Sequence, residues 1–594
     1  MSAALESAPF GFVLLAVGTG LLAGFGAVGF RMLIAFFHNL IFLGVLSFHY
    51  DARLHTAASP WGAWIILGPV VGAIVVATLI RFRAPEARGA GVPEVMDAIY
   101  YKRGIIRPVV AGVKALAASI SIGSGASIGR EGPIIQIGSA FGSTLGQVFR
   151  VAEWQRMTLI ACGAAGGIAA TFNTPIGGLL YAVELIMPEI SARTLIPVAL
   201  SSGGATFVSR IFLGNHPAFD LPTLSFIEGG LTSPALWAAY LVFGLVLGLW
   251  SAFFIRALYG TEDLLDKVPG GYIFRHAASM LLVGAMMYLM LRYTGHYYVQ
   301  GVGYATIQDI LGGQLAIGWF LLLLVVLKLV ATALSLGSGG SGGIFSPTIF
   351  MGACFGGAYA IFGDALFPGL GMHPITAGVV GMAGMLGGAT GAAVTAIVMV
   401  FEMTRDYHVI IPLMVTVSVA YGVRRLIMES SAYDMKLRRR GHVIPNVLQT
   451  NLYLLERARD RISTPVLRVS PKPNIERLAR LLGRGRRTPH VIVVEHGAVR
   501  TVIPASTVRG FRKVEALAAA VEHHEERGYV VVADDDMLFD VIGRMREAGC
   551  EIALVTGNGE MNSVDEIRGV LSLADVVHGT QLPRPLLERR RGSA

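Results

Sequence analysis

Charge is what this chain has least of. Only 15% of its 594 residues are Asp, Glu, Lys or Arg, against 54% hydrophobic, and mean hydropathy is +0.61. A soluble chain of this length would divide into several domains and show far more charge, so a soluble enzyme or scaffold is excluded. Cysteine is scarce too. Cys162, Cys354 and Cys550 stand apart, two of them inside apolar runs, giving neither a disulfide framework nor metal-ligand spacing, and no metal site is expected. The first apolar stretch, Phe10 to Phe37, has no cleavage-site pattern and reads as a membrane helix, not a signal peptide. The apolar part also lacks a paired acid and base or a nucleophile constellation, so a membrane enzyme is not expected.

The charge that remains is placed with order. The net charge is +9, and its clusters Arg81-Phe82-Arg83, Arg424-Arg425 and Lys436-Leu437-Arg438-Arg439-Arg440 flank apolar segments. That pattern fits positive-inside topology in a plasma or inner membrane better than nucleic-acid binding, and it puts the tail in the cytoplasm. Apolar or Gly-rich blocks follow one another from Pro9 to Met428, and ordinary charge density returns from Lys436. Residues 1–435 therefore read as a membrane body, 436–462 as a linker and 463–594 as a small soluble domain. Many apolar segments are shorter than the roughly 20 residues of a perpendicular span. Most of the 74 glycines interrupt them. Broken helices leave backbone groups unpaired, which lipid tolerates only where they are buried in protein or line a polar cavity.

An internal repeat organises the body. Ser121 to Gly142 aligns without a gap on Ser335 to Gly356. Gly163-Ala-Ala-Gly166 through Glu184 matches Gly381-Met-Ala-Gly384 through Glu402, and a third, weaker pair precedes them, Gly89-Ala-Gly91 through Asp97 against Gly301-Val-Gly303 through Asp309. Two halves, about 10–213 and 234–428, each carry a Gly-rich break before a Pro-started helix, which points to a binding site where the halves meet. A protein whose membrane part is only an anchor for a sensor tail has no use for such breaks.

Pro133 and Pro347 sit in the first turn of a helix, where Pro is best tolerated, behind glycines whose backbone exposes N–H groups. Gly89-Ala90-Gly91-Val92-Pro93 repeats that arrangement. A helix N-terminus offers about half a positive charge and free donors, so these segments suit an anion, held weakly enough for release. Some of the glycines also serve close helix packing. Glu131, between Arg130 and Gly132 at the edge of an apolar region, is costly there and hence a functional candidate. Ionised, it competes with an anion as a tethered one; protonated, it leaves. The alternative is an ion pair with Arg130, disfavoured because adjacent side chains diverge. Glu184 and Glu402, equivalent in the two halves, suggest structural hydrogen bonding within each repeat. Tyr433 alone reads as an interfacial belt residue.

Together these motifs, over about residues 10–435, resemble the CLC family of chloride channels and chloride/proton exchangers. Gly129-Arg130-Glu131-Gly132-Pro133 is similar to the family's G(K/R)EGP, Gly343-Ile344-Phe345-Ser346-Pro347 to GxFxP, and Gly89-Ala90-Gly91-Val92-Pro93 to GSGIP. The resemblance implies an all-α polytopic inverted-repeat fold of short broken helices, a homodimer in the lipid bilayer, and chloride passage gated by Glu131. The amides of Ile344 and Phe345 and the hydroxyl of Tyr433 would then hold the central anion. Ala90 replaces the family's serine, removing one hydroxyl donor and opening the choice between chloride and nitrate. Leu185 stands where exchangers often carry an inner proton glutamate, which tips the expectation modestly to passive, channel-type conduction. The alternative is antiport with protons reaching Glu131 through water.

The tail contains two βαβ-like units: Pro465 to Val469, a helix near 474–483 and His490 to Glu495, then Gly528 to Ala533, a helix near 537–548 and Glu551 to Thr556. The pair resembles tandem α/β CBS domains. Gly569-Val-Leu-Ser572-Leu-Ala-Asp575 is similar to the CBS ribose and phosphate motif, with Ser572 near phosphate and Asp575 at the ribose hydroxyls. The first unit's Thr501 to Thr507 lacks both the Gly and the acid. A single adenine-nucleotide site and a purely structural dimerisation tail fit equally; the body requires no cofactor.

Overall fold

The computed structural model describes residues 9–187, 190–222, 233–442, 456–462, 466–472, 490–503, 508, 517–519, 521 and 528–572. The chain divides into two compact units, 1–448 and 449–594. In the first, one half runs α1 (Pro9–His38), α2 (Gly68–Arg83), α3 (Val92–Tyr101), α4 (Val109–Gly123), α5 (Glu131–Val148), α6 (Glu153–Phe172), α7 (Pro175–Tyr181) and α8 (Ala192–Leu213). The other half runs α9 (Pro234–Asp266), α10 (Tyr272–Thr294), α11 (Tyr304–Leu311), α12 (Gly318–Gly337), α13 (Phe345–Leu366), α14 (Pro374–Thr390), α15 (Ala393–Thr404) and α16 (Ile410–Ile427). A short α17 (Ala432–Arg438) follows. Helix by helix the second half repeats the first in order. Among the described residues eight helical segments are long and apolar enough to cross a membrane, and the other helices of the body are shorter or less apolar.

Glycine sets how closely these pieces approach. α5 packs along α6, and α13 along α14. At the first crossing a Cβ on Gly138 would strike the carbonyl oxygen of Gly163, and the reverse; Gly352 and Gly381 repeat the relation at the second. Only glycine allows backbones this near, and the distance is the same device twice.

The two halves meet through equivalent residues. Gly129 and Gly343, which occupy one position of the repeat, donate their N–H groups to each other's carbonyls at 2.7 Å. A residue paired reciprocally with its own counterpart marks a local two-fold relation, as an inverted repeat requires. Glu184 and Glu402 obey the same relation and correct the expectation that they bond within their own repeats. Glu184 accepts from the amides of Val394 (3.1 Å) and Thr395 (2.8 Å) at the start of α15. Glu402 accepts from Ile176 (3.2 Å) and Gly177 (2.6 Å) at the start of α7. α7 lies against α15, so each helix start faces the other half's carboxylate, where the dipole favours it.

The second unit has two like sheets. β1 (Val466–Val469) pairs parallel with β2 (His490–Glu495), which pairs antiparallel with β3 (Ala498–Ile503). β4 (Val530–Ala533) pairs parallel with β5 (Ile552–Thr556), which pairs antiparallel with β6 (Gly569–Ser572). A short α18 (Ala458–Arg461) precedes the first sheet, and α19 (Leu538–Glu547) joins β4 to β5. Alternate strand residues face opposite ways. Ile492 and Val502 meet Ile552, Leu554 and Val570 between the sheets, while Ala553 and Val555 pack on Leu538, Val541 and Met545 of α19. This architecture fits a CBS-like pair. β3 and β6 extend each expected βαβ unit by an antiparallel strand. The helix expected near 474–483 and Asp575 lie outside the described residues; Gly569 opens β6 and Ser572 closes it, both buried.

Candidate functional site

Four helix starts converge where the halves join. α5 and α13 begin on either side of the Gly129–Gly343 pair, and the loop of Gly89 runs beside Ser341. A Cβ on Gly132 would collide with the carbonyl oxygen of Ala90 and would also crowd Gly343, so the three glycine motifs of the sequence form one knot. Gly89 (φ +78°) and Gly91 (φ +86°) take the left-handed conformation that turns this loop into α3. The expected residues Gly89, Ala90, Gly91, Pro93, Ile344 and Tyr433 line one pocket, together with Arg88, Glu94, Glu262 and Lys436. Tyr433 is buried there near the start of α17, not in an interfacial belt. Val92 and Pro133 are buried in the first turns of α3 and α5, as Phe345 and Pro347 are in that of α13. Ile344 and Phe345, at the cap and first positions of α13, carry amides that a helix leaves without an internal partner.

Glu131 is buried at 1% exposure, and its carboxylate reaches across to the other half. It accepts from the Ser346 amide at 3.3 Å, from the Ser346 hydroxyl at 2.5 Å and from the Tyr304 hydroxyl. Ser346 lies in the first turn of α13, so the carboxylate occupies an anion's place at a helix N-terminus. Arg130 points elsewhere: its guanidinium lies 5.2 Å from the Tyr304 ring centre and 5.8 Å from that of Phe172. Among the described residues Glu131 and Arg130 form no ion pair.

Sequence reasoning missed three supports. Tyr304 opens α11, at the place after Gly301-Val302-Gly303 where the first half has Val92-Pro93. Lys114 and Lys328 are fully buried and equivalent, each seven residues before the paired serines Ser121 and Ser335. Lys114 Nζ donates to the carbonyls of Ala87 (2.9 Å) and Gly89 (2.7 Å). Lys328 Nζ donates to those of Val299 (3.0 Å) and Gly301 (2.9 Å). One lysine fixes the loop before α3, the other the loop that presents Tyr304. Among the described residues neither Lys114 nor Lys328 has a carboxylate partner; both are spent on backbone carbonyls. A lysine inside an apolar segment at matched repeat positions was the available signal.

No group of three or more His, Cys, Asp or Glu able to hold a metal occurs among the described residues. What the site can do is hold a small anion by amides and hydroxyls, and exchange it against its own carboxylate.

The sequence profile of the family described as "Voltage gated chloride channel" matches residues 71–425. The H(+)/Cl(-) exchange transporter ClcA of Vibrio parahaemolyticus is 31% identical over 443 residues, 73% of this chain and 90% of the relative. The putative chloride channel protein ClcB-like of Ralstonia nicotianae is 32% identical over 392 residues, 64% and 87%. Among solved structures, a slow cyanobacterial Cl-/H+ antiporter superposes with a TM-score of 0.63 at 23% identity, covering 72% of this chain and 97% of that one. A eukaryotic CLC transporter gives 0.58 at 20% identity and covers 95% of this chain and 97% of its own; both likenesses speak for the fold. With a profile match over more than half its length and relatives at this identity, the chain is a membrane protein of the voltage-gated chloride channel (CLC) family.

Proposed function

We propose that this protein exchanges chloride for protons across a membrane, with Glu131 as the shared gate. The observation that carries the reading is the Glu131 carboxylate seated at the start of α13, on the Ser346 amide and the Ser346 and Tyr304 hydroxyls. An ionised Glu131 fills the anion position and blocks it. Protonation removes its charge, weakens its hold on three donors and lets the side chain yield to chloride. The next chloride resting place is formed by the amides of Ile344 and Phe345 and by Tyr433, with Ala90 and Gly91 opposite.

Leu185 at the inner proton position argues for passive conduction, and in this chain it cannot carry a proton. The names of several relatives weigh the other way: ClcA proteins of Vibrio parahaemolyticus and Vibrio cholerae, at 31% and 33% identity, are H(+)/Cl(-) exchange transporters. Antiport therefore displaces the channel expectation, with water carrying protons past Leu185. The protein works as a homodimer with its tail in the cytoplasm, in keeping with the basic cluster Lys436 to Arg440. An adenine nucleotide at the tail, through Gly569, Ser572 and Asp575, is a separable proposal.

The experiment is chloride movement in liposomes holding the purified protein under a pH gradient alone. Uphill chloride accumulation supports exchange. Chloride that moves only downhill, whatever the pH gradient, would sink exchange and restore the channel.

A further inference from the structure

A second cavity is lined by Arg130, the residue before Glu131. It is small, about 20 Å³, enough for one ion or water at a time, and Arg31, His38, Tyr50, Arg130 and Gln300 line it. Arg31 and His38 are two turns apart on α1, hence on one face of that helix. Arg130 caps the start of α5, and Gln300 belongs to the loop whose carbonyls Lys328 holds.

Two guanidinium groups thus share one cavity without an acid between them. The acids nearby are already engaged. Asp51 is bound by Arg53, whose Nε and Nη2 lie 3.3 and 3.1 Å from its two oxygens, and Arg53 also reaches Asp220 at 2.9 Å. The Glu131 carboxylate is taken by Tyr304 and Ser346. Among the described residues neither Arg31 nor Arg130 makes an ion pair, and the Nε of Arg130 is buried with no hydrogen-bond partner. The Gln300 amide is spent on Thr56 Oγ1 at 2.6 Å, which also faces His38 Nε2 at 3.2 Å. Gln300 Oε1 is left buried without a partner, and Arg130, stacked on the Tyr304 and Phe172 rings, keeps no acid of its own. Like charges gathered in a partly dry cavity repel, and a buried N–H without a partner is costly, so an anion between them would relieve both costs.

We propose that Arg31 and Arg130 form a loading site for a small monovalent inorganic anion such as chloride, distinct from the helix-start site and one step outside the Glu131 gate. It rests on the reading of the chain as a chloride transporter. Arg130 joins the two places, since it lines this cavity while its guanidinium lies over the Tyr304 ring whose hydroxyl holds the gate. An anion arriving here is next to the position that Glu131 vacates.

The test is anomalous scattering from bromide-soaked crystals of the intact protein, with Arg31→Gln and Arg31→Lys beside the wild type. The expected result is a bromide peak between Arg31 and Arg130, a second at Ile344, Phe345 and Tyr433, and loss of the first alone in Arg31→Gln. Arg31→Lys keeps the charge and keeps the outer peak. In parallel, the half-saturating chloride for uptake should rise about fivefold in Arg31→Gln and by less in Arg31→Lys. A bromide peak at the helix-start site with none between the arginines in wild-type crystals overturns the loading site and leaves the transport reading intact. Absence of both peaks, with no chloride flux, overturns both. The wild-type crystals decide the matter even if Arg31→Gln does not fold.

Discussion

In the proposed exchange Glu131 carries the coupling between anion and proton, and its three donors would divide the work. The Ser346 amide belongs to the helix start and would serve a chloride as readily as a carboxylate. The two hydroxyls, from Tyr304 and Ser346, donate to the Glu131 carboxylate and on this proposal hold the ionised gate shut. Replacing Glu131 with Gln should abolish proton movement and the pH dependence of chloride flux while chloride still passes. Proton uptake recorded beside chloride efflux checks this, and retained proton coupling would remove Glu131 from the role. Tyr304→Phe should raise chloride turnover at neutral pH about tenfold, the worth of one hydrogen bond to a charged group, with no further gain when combined with Glu131→Gln. An equal gain in the presence and absence of the carboxylate would mean that Tyr304 acts on something other than the gate. Glu131 stands out in the sequence because an acid in an apolar run is conspicuous. Tyr304 does not, because a tyrosine at a helix start carries no such signal and its partner lies 173 residues away in sequence. Arg31 is hidden for the same reason: nothing local ties α1 to Arg130.

Among the elements, short helices are held in place by contacts made twice, once in each half. Glu184 and Glu402 cap α15 and α7, and Lys114 and Lys328 hold the loops before α3 and α11. Removing a buried ammonium strands two carbonyls, so Lys114→Met and Lys328→Met should each cost about 2–4 kcal/mol of stability, seen as a lower midpoint of thermal unfolding in detergent. Their functional effects should differ. Lys114→Met loosens the Gly89 loop and weakens anion binding, whereas Lys328→Met displaces Tyr304 and disturbs the gate; identical phenotypes would contradict separate duties. Outside the membrane-spanning segments, Glu86 is bound by Arg107 through Nε at 2.9 Å and Nη2 at 2.6 Å. Partial burial pushes the Glu86 carboxyl up, but the hydrogen bonds and charge of Arg107 outweigh it and hold the carboxyl below its ordinary value. A depressed carboxylate stabilises the fold fully above the unfolded-state value and loses that contribution as pH falls through the folded one. Stability should therefore decline below about pH 4, less steeply in Glu86→Gln, whose thermal midpoint across pH checks the sign. The internal repeat alone predicts the order of these helices and both Gly-Pro starts. It misses which half each cap serves, since equivalence of Glu184 and Glu402 says nothing of whether contacts stay within a half or cross. The lysines were within reach of the same alignment, seven residues ahead of where the gapless match begins.

At the scale of the whole molecule, the membrane unit and the tail each have their own interior. The membrane unit contains every residue placed at the gate, the helix-start site and the arginine cavity, all within 1–448. Protein ending at residue 448 should therefore still exchange chloride for protons, at a rate within about threefold of the full chain by the ordinary independence of domains with separate cores. Loss of all flux would give the tail a part in the pathway itself. The division into body and tail could be read from charge density alone, because lipid excludes charge and water does not. Channel and exchanger could not be separated that way. They share the fold, the gate and the helix starts, and differ in whether a proton must cross for the anion to cross.

The reversal potential of the purified protein in a planar bilayer, under opposed chloride and proton gradients, measures that difference directly. Coupled exchange places the reversal potential away from the chloride equilibrium value and moves it whenever the pH gradient changes at fixed chloride. A reversal potential that stays at the chloride equilibrium value across all pH gradients would contradict the account.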